Sequence, residues 1–278
     1  IAGYGQEPEY YALGIEAAGK VIGDPNYRLV ASPEEVCTEV LAGNSAEGIF
    51  ELCYDDSRGE YKDFGSYIGG TVEKWPVLKG TTPASRRKFF IRNGTVERLY
   101  TPEDLRLQAY FADFFRMKEE PVSVTQGAAY VRMWREVEYY SGGIYDGTPR
   151  TLLANDILIR LPDILLLRAE MKAATGDREG AVADLDVVRR RAGVAGYSEA
   201  EGDLRRAIQL ERDRELLFQT GVRYFDYMRN HTYNLLKGGF RDLTETDVAA
   251  GALFLPVSLD AMNNNPKVKQ TAYWVGKF

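Results

Sequence analysis

Apolar residues along this chain recur mostly at helical spacing. The run from Ile157 to Met171 (ILIRLPDILLLRAEM) is apolar enough for a helix to bury on two sides. Pro162 suits a first turn, because its missing N–H would be unpaired there anyway. Thr175-Gly176-Asp177 breaks the pattern: Gly176 can take the left-handed conformation that ends a helix, and Asp177 can cap the next one. That second helix puts Ala181, Val182, Leu185 and Val188 on one stripe. Arg189, Arg190 and Arg191 follow at its C-terminal end, where the spacing predicts a solvated cap suited to the helix dipole. Small Ala169 and Ala181 let the two helices approach closely.

The pair therefore predicts an antiparallel hairpin of the tetratricopeptide type, a unit that is stable only when stacked on neighbours. Ser198–Glu201 has capping-box spacing and opens a helix carrying Leu204, Ala207, Ile208, Leu216 and Leu217. Thr220-Gly221 interrupts that helix and Val222–Arg229 resumes it. Pro8–Ile22 reads as a further helix with Tyr11, Ile15, Ala18 and Ile22 on one stripe, ending before Gly23-Asp24-Pro25. With nothing before it, this helix reads as the second half of a hairpin whose first half is absent. The expectation is that the chain is the C-terminal portion of a longer protein.

Between these helices the pattern changes. Glu34–Leu41 predicts a short helix with Ser32-Pro33 as cap and first turn, and Ile49–Tyr54 a strand. Asp55–Arg87 keeps no period and predicts a long loop, a feature uncommon inside compact domains unless it has a job. Phe89–Ile91 and Val96–Tyr100 flank Asn93-Gly94, a strong hairpin signal. Thr101–Asp104 reads as a helical turn, and Leu107–Phe115 as extended. Tyr130–Val137 alternates as a strand, with Tyr130, Arg132, Trp134 and Glu136 on one side and Val131, Met133, Arg135 and Val137 on the other. Tyr140–Arg150 is a turn-rich connection, and Asn230–Gly251 reads as loop with short helical pieces. From Leu253 the tail is expected to run extended, with Asn263–Pro266 as a turn.

Four segments, in order, carry a family resemblance. Residues 155–193 (NDILIRLPDILLLRAEMKAATGDREGAVADLDVVRRRAG) resemble the core of the SusD/RagB family of outer-membrane nutrient-binding lipoproteins. Leu210–Arg229 is similar to that family's Glu-Arg … Glu-Leu … Gly-x-Arg-x-Phe-Asp-x-x-Arg segment. Leu253–Trp274 is similar to its closing Leu-Pro-Ile-Pro … Asn-Pro … Gln-Asn … Trp segment. Tyr10–Leu29, followed by Glu47–Glu51, is similar to its mid-chain helix and the strand after it. Two departures are small: Gln219-Thr220 stands where Glu is usual, and Ala272-Tyr273 replaces the usual Gly before Trp. The expected fold is mostly α, a SusD-like α-α superhelix of tetratricopeptide-like hairpins with a loop-rich, β-hairpin-containing excursion. Residues 1–30 and 155–230 would form the scaffold, 31–154 the variable ligand-facing excursion, and 231–278 an extended C-terminal segment. The resemblance implies a cell-surface, lipid-anchored protein of the outer membrane. It would capture a glycan or other polymer-derived nutrient and pass it to a TonB-dependent transporter of the SusC type, acting as a lid over it, with the helical face toward the transporter.

Composition is consistent with that. The 278 residues can bury one sizeable core or two small ones. No apolar run approaches the ~18–20 residues of a membrane-spanning helix, and neither a signal peptide nor a lipidation cysteine opens the chain. On the resemblance, both belong to a missing N-terminal part, so membrane attachment is expected only through a lipid anchor there. A net charge of −6 argues against nucleic acid as a partner.

Reactive chemistry is sparse. His231 is the single histidine, which excludes a histidine triad or a multi-histidine metal site. Cys37 and Cys53 could pair as a disulfide, though one falls on a helix and the other on a strand. No glycine-rich phosphate cradle follows a strand, so no cofactor is implied. Carboxylate pairs occur at Glu136/Glu138, Asp55-Asp56 and Glu119-Glu120. With 41 acidic residues, solvated faces account for such pairs, and no catalytic residue is assigned.

Aromatic residues point elsewhere. Among 18 tyrosines and three tryptophans, Tyr54, Tyr61, Tyr67 and Trp75 crowd the predicted loop, and Trp134, Tyr139, Tyr140 and Tyr145 form a second group. Pyranose rings have apolar C–H faces that lie against an aromatic plane and hydroxyl rims that need polar partners. Tyr and Trp offer that surface at little entropic cost. Tyr54, Tyr61, Tyr67, Trp75, Trp134 and Tyr140 are the candidate ligand-binding residues. Packing of the loop onto the helices would also place aromatics there, and the family's shared motifs supply no binding residue by match. Two other classes stay open: a helical-repeat interaction scaffold without glycan binding, and a carboxylate glycosidase.

Overall fold

The computed structural model describes residues 7–54, 91–119, 127–133, 155–219, 222–235 and 243–277. The chain divides into a larger unit, Glu7–Val222, and a smaller one, Arg223–Phe278. The larger unit runs α1 (Pro8–Ile22), α2 (Pro33–Thr38), β1 (Gly48–Leu52), α3 (Asn93–Leu99), α4 (Leu105–Tyr110), α5 (Phe114–Lys118), β2 (Asp156–Arg160), α6 (Leu161–Thr175), α7 (Arg178–Arg191) and α8 (Leu204–Glu215). Residues Val40–Ala42 and Glu199–Glu201 form single 3-10 turns.

The hairpin forms as its sequence dictates. Pro162 sits in the first turn of α6, and Gly176 ends that helix with φ +89°, a conformation other residues adopt only under strain. Asp177 caps α7 by accepting from the Gly180 N–H at 2.9 Å. Leu165, Leu166 and Ala169 of α6 are buried with Ala181, Leu185 and Val188 of α7, and α8 adds Leu204, Ala207 and Ile208 to the same core. Fully burying each large side chain there is worth roughly 1.5–3 kcal/mol. Helix α1 lies against the other side of α6, burying Tyr11 and Ala18. A β-carbon at Gly14 would meet the Met171 sulfur, so that side chain would have to turn aside. The first helix thus finds its partner later in the chain.

The strand Asp156–Arg160 corrects the reading of Ile157–Met171 as wholly helical. Helix α6 begins only at Leu161, and β2 pairs antiparallel with β1, from Gly48↔Arg160 to Leu52↔Asp156. Pro162 already located the first turn, and a helix started five residues earlier would have put the proline inside it. The N-terminus of α8 is also shifted: Asp203 caps it through the Arg206 N–H at 2.8 Å, while the Ser198–Glu201 box closes its own short turn.

A second core lies in the excursion and overturns two readings. Asn93-Gly94 is not a hairpin turn but the start of α3, whose Val96 and Leu99 are buried one helical turn apart. The backbone before it is already committed: the Asn93 N–H donates to the Gly127 carbonyl at 2.9 Å, and the Ala129 N–H to the Ile91 carbonyl at 2.9 Å. Leu107–Phe115 is not extended either. It forms most of α4 and the start of α5, with Phe111 alone bridging to Val131. These pieces, with α2, bury Val36, Val40, Tyr110, Phe111, Phe114 and Met133 in one cluster. Tyr130 and Val131 both end up buried, on opposite sides of the chain as their alternation requires. Ser32 caps α2 by accepting from the Glu35 N–H at 3.2 Å. Cys37 and Cys53 are both free thiols, the first inside this core and the second exposed, so they do not pair.

In the smaller unit, α9 (Val222–Arg229) is followed by α10 (Glu245–Ala249) and α11 (Leu259–Asn264). The tail is therefore not extended throughout: Ser258 caps α11, accepting from the Ala261 N–H at 3.2 Å. His231 is exposed with φ +52°. The Gln270 amide clasps the Val257 backbone from both sides, at 3.1 and 3.0 Å. The indole N–H of Trp274 donates to the Phe254 carbonyl at 2.7 Å, and the Tyr224 hydroxyl to that of Leu253. These aromatics secure the closing segment. No helix among the described residues is long and apolar enough to cross a membrane.

Candidate functional site

Of the six aromatic candidates, Tyr54 lies within the described residues; Tyr61, Tyr67, Trp75, Trp134 and Tyr140 lie outside them, as do Tyr139 and Tyr145. Tyr54 follows the end of β1 and is half-buried. Partial burial, then the nearby Asp156 carboxylate, raise its phenol pKa. It therefore presents a neutral hydroxyl, able to donate or accept, on an apolar ring. Phe50 and Leu52, just before it on the strand, are 51% and 46% exposed. The end of β1 thus offers apolar surface where the chain leaves for the aromatic-rich segment.

Behind β1 stands a cluster of buried charges that the sequence reading missed. Arg189 and Arg191 do not form a solvated cap; Arg190 alone of the three is exposed. Helix α7 turns Arg191 inward, where Nη1 donates to Glu47 at 2.7 Å and Nη2 to Glu215. Arg160, at the end of β2, donates to the other oxygen of Glu47 at 2.9 Å and lies 2.6 Å from Glu215. Its Nε reaches the Gln219 side-chain oxygen at 2.8 Å. Arg106 closes the cluster, gripping Asp104 through Nε and Nη2 at 2.9 and 2.8 Å and Glu211 through Nη1 at 2.6 Å. An isolated buried ion pair is a poor stabiliser, since desolvation rivals the Coulomb gain. Here Glu47, Glu211 and Glu215 each hold more than one arginine, so removing one member leaves several buried charges short of a partner. A signal was present: Ile208, Glu211, Arg212 and Glu215 share one face of α8, and carboxylates on an apolar stripe must be paired.

The cluster is unsuited to acid–base work. Burial would raise the Glu215 pKa, but Arg191, Arg160 and Arg106 outweigh it and hold the carboxyl down to about 2. A glycosidase acid needs the opposite shift. What the cluster does is positional. Its members come from the turn before β1, the cap of α4, β2, α7 and α8, so it fastens the excursion core to the helical core.

A sequence model of the SusD family matches residues 46–274. The chain belongs to the SusD family. Solved structures agree on the fold. A SusD homolog from Bacteroides thetaiotaomicron VPI-5482 superposes with a TM-score of 0.78 at 23% identity, over 96% of this chain and 55% of its own. Surface glycan-binding protein A from Bacteroides thetaiotaomicron gives 0.72 at 18% identity, over 98% and 61%. A structure of that protein in complex with laminarihexaose gives 0.71 at 19% identity, over 98% and 62%. The chain thus spans little more than half the length of these relatives. No curated protein matches it in sequence. In this SusD-family chain the Glu-Arg … Glu-Leu motif is Glu211, Arg212, Glu215 and Leu216, all buried. The motif therefore encodes the core and not a binding surface.

Proposed function

We propose that this SusD-family chain captures an oligosaccharide or related polymer-derived nutrient at the cell surface and holds it without covalent chemistry. It passes the ligand to a TonB-dependent transporter of the SusC type while lipid-anchored at the outer membrane. The observation that carries this reading is the likeness, over nearly the whole chain, to surface glycan-binding protein A, which has been captured with laminarihexaose. Membership of the SusD family supports it. In this reading residues 1–30 and 155–230 are the scaffold, 31–154 faces the ligand, and 231–278 is the C-terminal segment. Tyr54, Tyr61, Tyr67, Trp75, Trp134 and Tyr140 supply aromatic planes, with Asp, Asn and Arg side chains bonding the hydroxyl rim.

Affinity electrophoresis in gels containing a panel of polysaccharides, with a reducing-end assay alongside, tests this. At least one polysaccharide is expected to retard the chain without release of reducing ends. Tyr61→Ala with Trp75→Ala is expected to lose that retardation while far-ultraviolet circular dichroism stays unchanged. Silence across the panel would leave the interaction scaffold, and release of reducing ends would make the protein a glycosidase.

A further inference from the structure

A cavity of about 400 Å3 opens in the larger unit, between the loop before α4, the turn after α7, the Glu199–Glu201 turn and α8. That volume falls in the range of small-molecule sites, about 300–1,000 Å3. Tyr54, the aromatic candidate among the described residues, does not line it.

One wall is a preformed guanidinium–carboxylate fork: Arg189 donates through Nη1 and Nη2 to the two oxygens of Glu201, at 2.8 and 2.9 Å. Arg189 is 3% exposed, and its Nε makes no hydrogen bond, lying 3.5 Å from the nearest Glu211 oxygen. Arg214 bonds the Leu99 carbonyl through Nε and Glu211 through Nη1, which leaves its Nη2 without a partner. On the rim, the Thr101 hydroxyl and the Glu103 carboxylate are exposed and hold no partner among the described residues. Gly193, Val194 and Ala195 add a small apolar strip.

The cavity therefore offers a free donor at Arg214 Nη2, a free acceptor at Glu103, a hydroxyl at Thr101 that can do either, and apolar surface beside them. Three carboxylates, Glu103, Asp104 and Glu201, line it against two arginines already in ion pairs, which disfavours an anion. The arginines disfavour a simple cation in turn. A neutral ring with a hydroxyl rim and an apolar face matches the Arg214 donor, the Glu103 and Thr101 oxygens and the apolar strip. We propose that this cavity is a second saccharide subsite, one or two pyranose rings in size, distinct from the surface at Tyr54. The proposal rests on the glycan-binding reading and extends it.

Saturation-transfer NMR on the whole chain, with glucose, galactose, mannose, xylose and N-acetylglucosamine as probes, tests the subsite. At least one sugar is expected to receive signal. Ala195→Trp should abolish that signal by filling the space, and Glu103→Gln should weaken the affinity about tenfold by removing a charge-assisted acceptor. Both positions are exposed and their side chains make no bond, so unchanged circular dichroism is expected. Retardation by polysaccharide gels should survive both changes. A sugar signal indifferent to both substitutions overturns the subsite. So does a panel without signal while polysaccharide still retards the chain, which leaves the glycan reading intact. If neither sugar nor polysaccharide binds, both readings fall.

Discussion

The two cores of the larger unit were built by different rules. The helical core draws on α6, α7 and α8, elements of 12 to 15 residues whose apolar positions repeat at helical spacing. The excursion core gathers Val36, Ile91, Tyr110, Phe111, Val131, Ile157 and Leu217 from segments far apart in sequence, with helices of only five to seven residues. In elements that short, a period cannot establish itself, and the contacts that fix them are non-local. Both cores are nonetheless buried, and the same arginine–carboxylate cluster is fastened to each. Depth of burial, then, is no guide to how readable a core is; the span of its contacts is.

The harshest way to break the comparison is to unpair the cluster. Glu215→Ala leaves Arg106, Arg160 and Arg191 short of a shared partner and is expected to cost about 3–5 kcal/mol in urea unfolding. The two cores should then lose cooperativity together. Phe111→Ala is expected to cost about 3–5 kcal/mol and Leu166→Ala about 2–5, by the same measurement. A cost under about 0.5 kcal/mol for Phe111→Ala would return the excursion to a surface loop.

Acid weakens the cluster more gently. The Glu215 pKa is held down in the folded state, so its contribution is present above the unfolded value of 4.5 and is lost as pH falls from there toward about 2. That shift corresponds to about 3 kcal/mol. Urea midpoints are expected to hold near neutrality and to drop across that window, with Glu215→Gln flattening the drop.

Smaller effects sharpen the contrast. Asp177→Ala removes the cap of α7 and is expected to cost about 1 kcal/mol. Gly94→Ala separates a helix from a hairpin turn by sign alone. In α3 the added methyl meets nothing nearer than Arg98 Nη1 at 3.9 Å, so a gain of up to about 1 kcal/mol is expected. In a tight hairpin turn with positive φ the same change would destabilise.

Local chemistry was legible wherever a residue had one job. Pro162, Gly176, Asp177 and Ser32 each act on the backbone beside them and stand where the sequence puts them. Asn93-Gly94 misled because the turn it favours needs flanking strands, whereas the residues before it pair with residues 127–129 and those after it are helical. Arg189 and Arg191 misled because a basic run at a helix end usually meets water, and their partners Glu47, Glu201, Glu211 and Glu215 lie up to 144 residues away. The candidate site rests on a chemical type read from the sequence, aromatic rings in an aperiodic stretch, of which Tyr54 lies within the described residues and is half-buried.

Hydrogen exchange of the chain, with and without an oligosaccharide cut from whichever polysaccharide retards it, tests most directly whether the helical pairs are the platform and the excursion the ligand side. Added protection is expected from Tyr54 through Trp75, with amides of α6 and α7 unchanged. Protection gained along α6 and α7, with Tyr54 to Trp75 unaffected, would contradict the account.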